Sequence, residues 1–157
     1  MNEEVKYISY EEAISVYAKM IDASDGGFDG VRDEGGIRAA LEFVQNDMYY
    51  PNFSEKLCSL VYKFCSGHYF NDGNKRIALT LGAYFLYKNS YFWQATIFMR
   101  QMESIVYHVA ASNIDQDLLH RIMTCFMNGE DYDEELKIDI ANAMSKGELG
   151  VRGEDYE

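Results

Sequence analysis

The 157 residues are 48% hydrophobic and 15% aromatic, too apolar for a disordered chain and long enough to bury one core without disulfides or a structural metal. A formal net charge of −12 argues against general nucleic-acid binding, because phosphate backbones are held by basic faces. A single proline and few β-branched runs point to an all-α fold.

The charge is uneven, with ten acidic and three basic residues between Glu130 and Glu157. Cys58, Cys65 and Cys125 form no pair of metal-binding or disulfide spacing and read as small apolar residues in a reducing compartment. The start of the sequence lacks a basic region followed by an apolar run, and no stretch approaches the about 20 apolar residues of a membrane span. The expected setting is cytoplasmic, with neither nucleic acid nor membrane as a direct partner.

In chain order, Ser9-Tyr-Glu-Glu12 matches a capping box with Ile8 as a staple residue. Ala13, Ile14, Tyr17, Ala18, Met20 and Ile21 then repeat at helical spacing, up to the turn formers Asp25 to Gly30. A second helix is predicted from about Gly36 to Met48. Asp47 to Phe53 breaks the pattern at Pro51 and reads as a loop or short hairpin. Ser54 with Glu55 opens a third helix that ends at Gly67. From Asn74 to Leu86 the chain is apolar on most sides, which marks a central helix. Tyr91 to Thr96 is β-prone but short, and helices are predicted over about Ile97–Ala111 and Gln116–Met127. Glu134 to Lys146 is amphipathic, and the tail from Gly147 is expected to fray.

Between the third and central helices lies His68-Tyr-Phe-Asn-Asp-Gly-Asn-Lys-Arg76. Asn74 is a candidate N-cap, and the helix start after it offers free N–H groups and the positive dipole end to a phosphate. Gly73 permits positive φ and close approach of a ligand. Lys75 and Arg76 are misplaced for the helix itself, which prefers cations at its other end, so an anionic ligand would compensate. Asp72 suits Mg²⁺ shared with phosphate oxygens, and histidine is the side-chain type that exchanges protons near neutral pH. Together these residues describe phosphoryl or nucleotidyl transfer to a hydroxyl. Local chemistry alone also leaves open a plain turn with a core histidine and solvated cations.

The stretch closely resembles the Fic/Doc signature H-x-F-x-[DE]-[GA]-N-[GK]-R, and it is nearest the Doc (death-on-curing) type. Lys75 stands where Fic enzymes usually have Gly, Leu79 where they have a second arginine, and Tyr69 where Pro is common. Gly26 to Leu41, Tyr50 to Leu57 and Phe85 to Asn89 also resemble Doc-type stretches, so that the likeness spans about Val5 to Met127. It implies a Fic fold: a helical bundle with a central apolar helix and a short flap, forming a domain over residues 1–129. An acidic extension of one amphipathic helix and a tail, 130–157, follows. It also implies ATP and Mg²⁺ as cofactors, His68 as the base that activates a target Ser or Thr hydroxyl, and Asp72 as the magnesium ligand. Gly73, Asn74, Lys75 and Arg76 become the phosphate cradle, and Asp47, Met48, Tyr49 and Tyr50 fall where a flap would position the target.

Fic enzymes transfer AMP, whereas Doc resembles a reversed arrangement that offers the γ-phosphate and acts as a kinase; Lys75 and Leu79 favour the second. Similarity to Doc implies elongation factor Tu as the target. AMP transfer to a protein hydroxyl and a catalytically silent nucleotide- or antitoxin-binding module are the alternatives. No Ser or Thr has Glu four residues on, so the [ST]-x-x-x-E-[GN] inhibitory helix of many Fic enzymes is missing and a separate antitoxin is expected. Glu134 to Lys146 is expected to pack on the core rather than cover the site.

Overall fold

The computed structural model describes residues 4–23 and 30–155, with side chains described as far as 146. Among these, seven α-helices and no strand appear, in agreement with the all-α expectation. They are α1 (Tyr10–Ala23), α2 (Glu34–Phe43), α3 (Phe53–Ser66), α4 (Asn74–Lys88), α5 (Phe92–Ala110), α6 (Gln116–Asn128) and α7 (Glu134–Asp155). None is long and apolar enough to cross a membrane.

The predicted capping box starts α1: Glu12 N–H donates to Ser9 Oγ at 3.1 Å, and Ser9 N–H donates to Glu12 Oε1 at 3.2 Å. Ile8 and Ala13 are both buried beside it, as a staple requires. Helix α2 begins earlier and ends sooner than predicted, because Asp33 caps it by accepting from Gly36 N–H at 2.8 Å. Val44 terminates it, so Asp47 to Asn52 forms turns and no hairpin. The cap of α3 is Asn52 rather than Ser54, since Asn52 Oδ1 accepts from both Glu55 N–H and Ser54 Oγ–H.

Helix α4 packs against α1, α3 and α5 and buries Ile77, Ala78, Leu79, Leu81, Phe85 and Leu86. Each Ile, Leu or Phe side chain among them contributes roughly 1.5–3 kcal/mol when fully withdrawn from water. Gly82 lets α4 and α5 approach closely, for a Cβ there would lie 2.5 Å from the Phe98 ring. The β-prone Tyr91 to Thr96 is instead the N-cap and start of α5. Helical periodicity decides this: Phe98, Met102, Ile105, Val106 and Val109 form one buried face, and Tyr91 packs on Phe53 with ring centroids 4.7 Å apart.

Beyond Gly129, α7 lies on α5 and α6, and Leu136, Ile140 and Ala143 join the common core. The helix runs on to Asp155, past the point where the tail was expected to fray. Cys58 and Cys65 are buried and unbridged; burial raises their thiols to about 12 and about 11 respectively, so both stay protonated.

Candidate active site at the start of α4

The site is assembled where α3 ends and α4 begins. Gly67 closes α3, and His68 follows with φ +52, a left-handed conformation sparsely used by residues with a side chain. Tyr69 meets Phe64 edge-on at 5.3 Å between centroids. Phe70, 1% exposed, stacks on Tyr17 of α1 at 4.0 Å. These two rings are the core anchors of the turn. His68 itself is exposed.

A segment to which the sequence assigned no role in the site, within Gly26 to Leu41, braces the same turn. The N–H groups of Arg32 and Asp33 donate to Tyr69 O at 2.8 and 3.0 Å, and Asn71 N–H donates to Gly30 O at 3.0 Å. An isolated antiparallel bridge joins Val31 to Phe70. This intrachain pairing falls in Val31–Asp33, within the Gly26 to Leu41 stretch, and not in the 47–53 loop. Its sequence signal was the run of turn formers ending at Gly30, which placed the chain but not its partner.

Asn74 is not the N-cap. Gly73 takes that position in the left-handed region, φ +80, and supplies no side-chain bond to the helix. The Asn74 amide instead spans Phe70, accepting from its N–H at 3.1 Å and donating to its C=O at 3.0 Å. An amide matches both ends of a peptide unit, so Asn74 closes the turn and leaves the helix start open. No acidic residue occupies the first turn of α4.

Asp72 Oδ1 accepts from Gly73 N–H at 2.8 Å, and Oδ2 stands 3.8 Å from Arg76 Nη2. Both partners of that ion pair are about half exposed, at 51% and 40%. A cavity of about 220 Å³ opens over the helix start, lined by His68, Asp72, Gly73, Asn74, Lys75 and Arg76. Asn71, Cys65 and Ala110 complete its wall; the last two come from α3 and α5 and carried no chemical signal in the sequence. All six of the motif residues expected to act thus face one space, and among the described residues none of the lining comes from α7.

Asp47, Met48, Tyr49 and Tyr50 do not join them. Asp47 is drawn to Lys56, whose Nζ donates to its Oδ1 at 2.7 Å and to Val44 O at 3.1 Å. Met48 is 93% exposed. Tyr49 and Tyr50 line a different cavity, of about 140 Å³, with Glu55, Cys58, Gln116, Asp117 and His120. Among the described residues the two cavities share none.

The sequence profile of the Fic/DOC family matches residues 7–86, about half of the 157, and includes the whole motif. The chain belongs to the Fic/Doc family. No curated protein matches the sequence significantly. Family members generally transfer nucleotide-derived groups to protein targets, use ATP with Mg²⁺ and often pair with antitoxins. The matched region takes in α1 to α3 and nearly all of α4, and α7 lies outside it.

The residues of the cavity fit a magnesium nucleotide. Among the described residues no group of three His, Cys, Asp or Glu side chains is arranged to hold a metal. A single exposed carboxylate beside an open helix N-terminus is what Mg²⁺ needs when phosphate oxygens and water supply the remaining ligands. Lys75 and Arg76 supply positive charge at the same end.

Proposed function

We propose that the protein transfers the γ-phosphoryl group of Mg·ATP to a Ser or Thr hydroxyl of a protein target. The observation that carries this reading is the convergence of His68 and the Asp72–Arg76 turn on one cavity at an uncapped helix start. The backbone N–H groups of the first turn of α4, with Lys75 and Arg76, would hold the phosphates. Asp72 would hold the magnesium ion, which would supply positive charge beside the transferring group. His68 takes the proton of the target hydroxyl as its oxygen bonds to the γ-phosphorus, and the bond to the β-phosphate breaks to release ADP.

Positive charge along the phosphate chain favours phosphoryl over AMP transfer. Leu79, at the position where AMP-transferring relatives carry a second arginine, is buried in the core at 7% exposure and lines no part of the cavity. Lys75 is exposed at its mouth. In this reading the target backbone lies along Val31–Asp33, the segment paired with the motif, rather than along Asp47–Tyr50. A separate antitoxin restrains the activity, elongation factor Tu is the first target to try, and α7 acts as an added packing helix of the core.

Purified protein incubated with α- or γ-labelled ATP and a cell extract tests the reaction. Label from the γ position alone, lost in His68→Ala, is the expected result. Label from the α position identifies an AMP transferase instead. Mg·ATP binding without label on any protein identifies a silent module, and label surviving His68→Ala removes the histidine from its role.

A further inference from the structure

We propose that Tyr17 is a positioning residue for the magnesium-binding carboxylate, acting on Asp72 through the peptide that joins it to Gly73. The inference rests on the Mg·ATP reading above. Tyr17 projects from α1, is 2% exposed, and donates its hydroxyl to the backbone carbonyl of Asp72 at 2.8 Å. Its ring stacks on Phe70 with an interplanar angle of 17°. One side chain therefore grips the turn on both sides of Asn71.

The peptide between Asp72 and Gly73 is held at both ends. Its carbonyl belongs to Tyr17, and its N–H donates to Asp72 Oδ1 at 2.8 Å. The direction of the carboxylate therefore follows the plane of this peptide. Glycine tolerates either orientation of the peptide before it, so Gly73 alone does not fix that plane. A flipped peptide would withdraw the N–H from Oδ1 and release the carboxylate. The Tyr17 hydroxyl opposes the flip, because Asp72 O would lose its donor.

The rest of α1 closes the same space: a Cβ on Gly73 would lie 3.1 Å from Met20 Cε and 3.5 Å from Ile21 Cδ1. A tyrosine needed only to fill the core would leave its ring contacts, and not its hydroxyl, as the useful part. Tyr17→Phe separates the two roles, since it keeps the ring that stacks on Phe70 and removes the hydroxyl that donates to Asp72 O.

The test is calorimetric titration of the full chain with a non-hydrolysable ATP analogue, with and without Mg²⁺. Tyr17→Phe is expected to weaken Mg²⁺-dependent binding by about three- to tenfold, the worth of one oriented hydrogen bond. Metal-free binding should stay within about twofold of the wild type, on the same scale. In transfer assays the Mg²⁺ concentration for half-maximal rate should rise, while the rate at saturating Mg²⁺ recovers. Tyr84→Phe, which removes a hydroxyl bonded to Glu12 away from the motif, should alter thermal stability and leave the Mg²⁺ response intact.

A Tyr17→Phe protein with a lower melting temperature and a wild-type Mg²⁺ response overturns the inference, as does equal weakening with and without the metal. A wild-type chain whose nucleotide binding ignores Mg²⁺ overturns the Mg·ATP reading itself, and the role of Tyr17 with it.

Discussion

Lys56 and Arg76 are both cations in the opening turns of helices, α3 and α4, and their surroundings are opposite. Lys56 is 2% exposed and bonded at 2.7 Å to Asp47, with Val44 O as a second acceptor. The start of α3 around it is complete: Asn52 caps, Glu55 supplies the acid, and Ser54 bonds to the cap. Helices α2 and α6 are finished in the same way, by Asp33 with Glu34 and by Asp115 with Asp117. At α4 the cap is a glycine, the acid is absent, and Arg76 is 40% exposed at 3.8 Å from its carboxylate. A helix start that satisfies itself stabilises the fold, whereas one left open is available to an anion.

The largest expected effect lies on the self-satisfied side. Lys56→Ala leaves Val44 O without its donor and opens a void, which should cost about 2–3 kcal/mol in urea unfolding. Nucleotide affinity should not change, and a parallel fall in affinity would mean that the two regions are not separate. Asn74→Ala severs two bonds to Phe70 and should cost about 2 kcal/mol together with nucleotide binding. Its counterpart Asn52→Ala should cost about 1 kcal/mol and leave binding untouched.

The start of α1 offers a pH test of the same distinction. Bonds from Lys88 and then Tyr84 lower the Glu12 carboxyl from 4.5 to about 2. A depressed carboxyl stabilises the fold above its unfolded value, and that stability drains away as the pH falls from about 4.5 towards 2. Glu12 is 33% exposed, so solvent screening reduces the loss to about 1–2 kcal/mol. The Tm of Glu12→Gln should therefore fall less steeply than that of the wild type over this window.

The smallest stability change carries the sharpest comparison. Lys75→Glu gives α4 the acid that α2, α3 and α6 already have, and should raise stability by about 0.3–1 kcal/mol. Nucleotide affinity should drop more than tenfold, since the cavity exchanges a cation for an anion. A variant that gained stability and kept its affinity would show that the open terminus does not hold phosphate.

The motif was legible because its residue types are at odds with their place. Two cations at a helix start whose first turn has no acid conflict with helix preference, and that conflict is local. The helical face of α1 and its capping box were legible for the same reason, since partners three and four residues apart settle them. The β-prone Tyr91 to Thr96 was less legible, because Phe92 and Trp93 stay exposed and the buried periodicity of α5 begins only at Phe98. The 47–53 segment was legible as a break in the pattern but not in its contacts, since Asp47 is held by Lys56, a residue whose burial no periodicity announces.

By itself the sequence determined the all-α class, the central helix and the group of side chains that meet at the start of α4, since spacing and composition dictate them locally. Tertiary structure alone decided that Asn74 closes the turn instead of capping the helix and that Val31–Asp33 pairs with the motif. It also set Tyr17 of α1 against the carbonyl of Asp72. Each of these joins groups through backbone hydrogen bonds, and every residue offers the same backbone N–H and C=O apart from proline. Residue type therefore carries no record of which backbone groups will meet, and only the packing of α1, α3 and α4 brings these together.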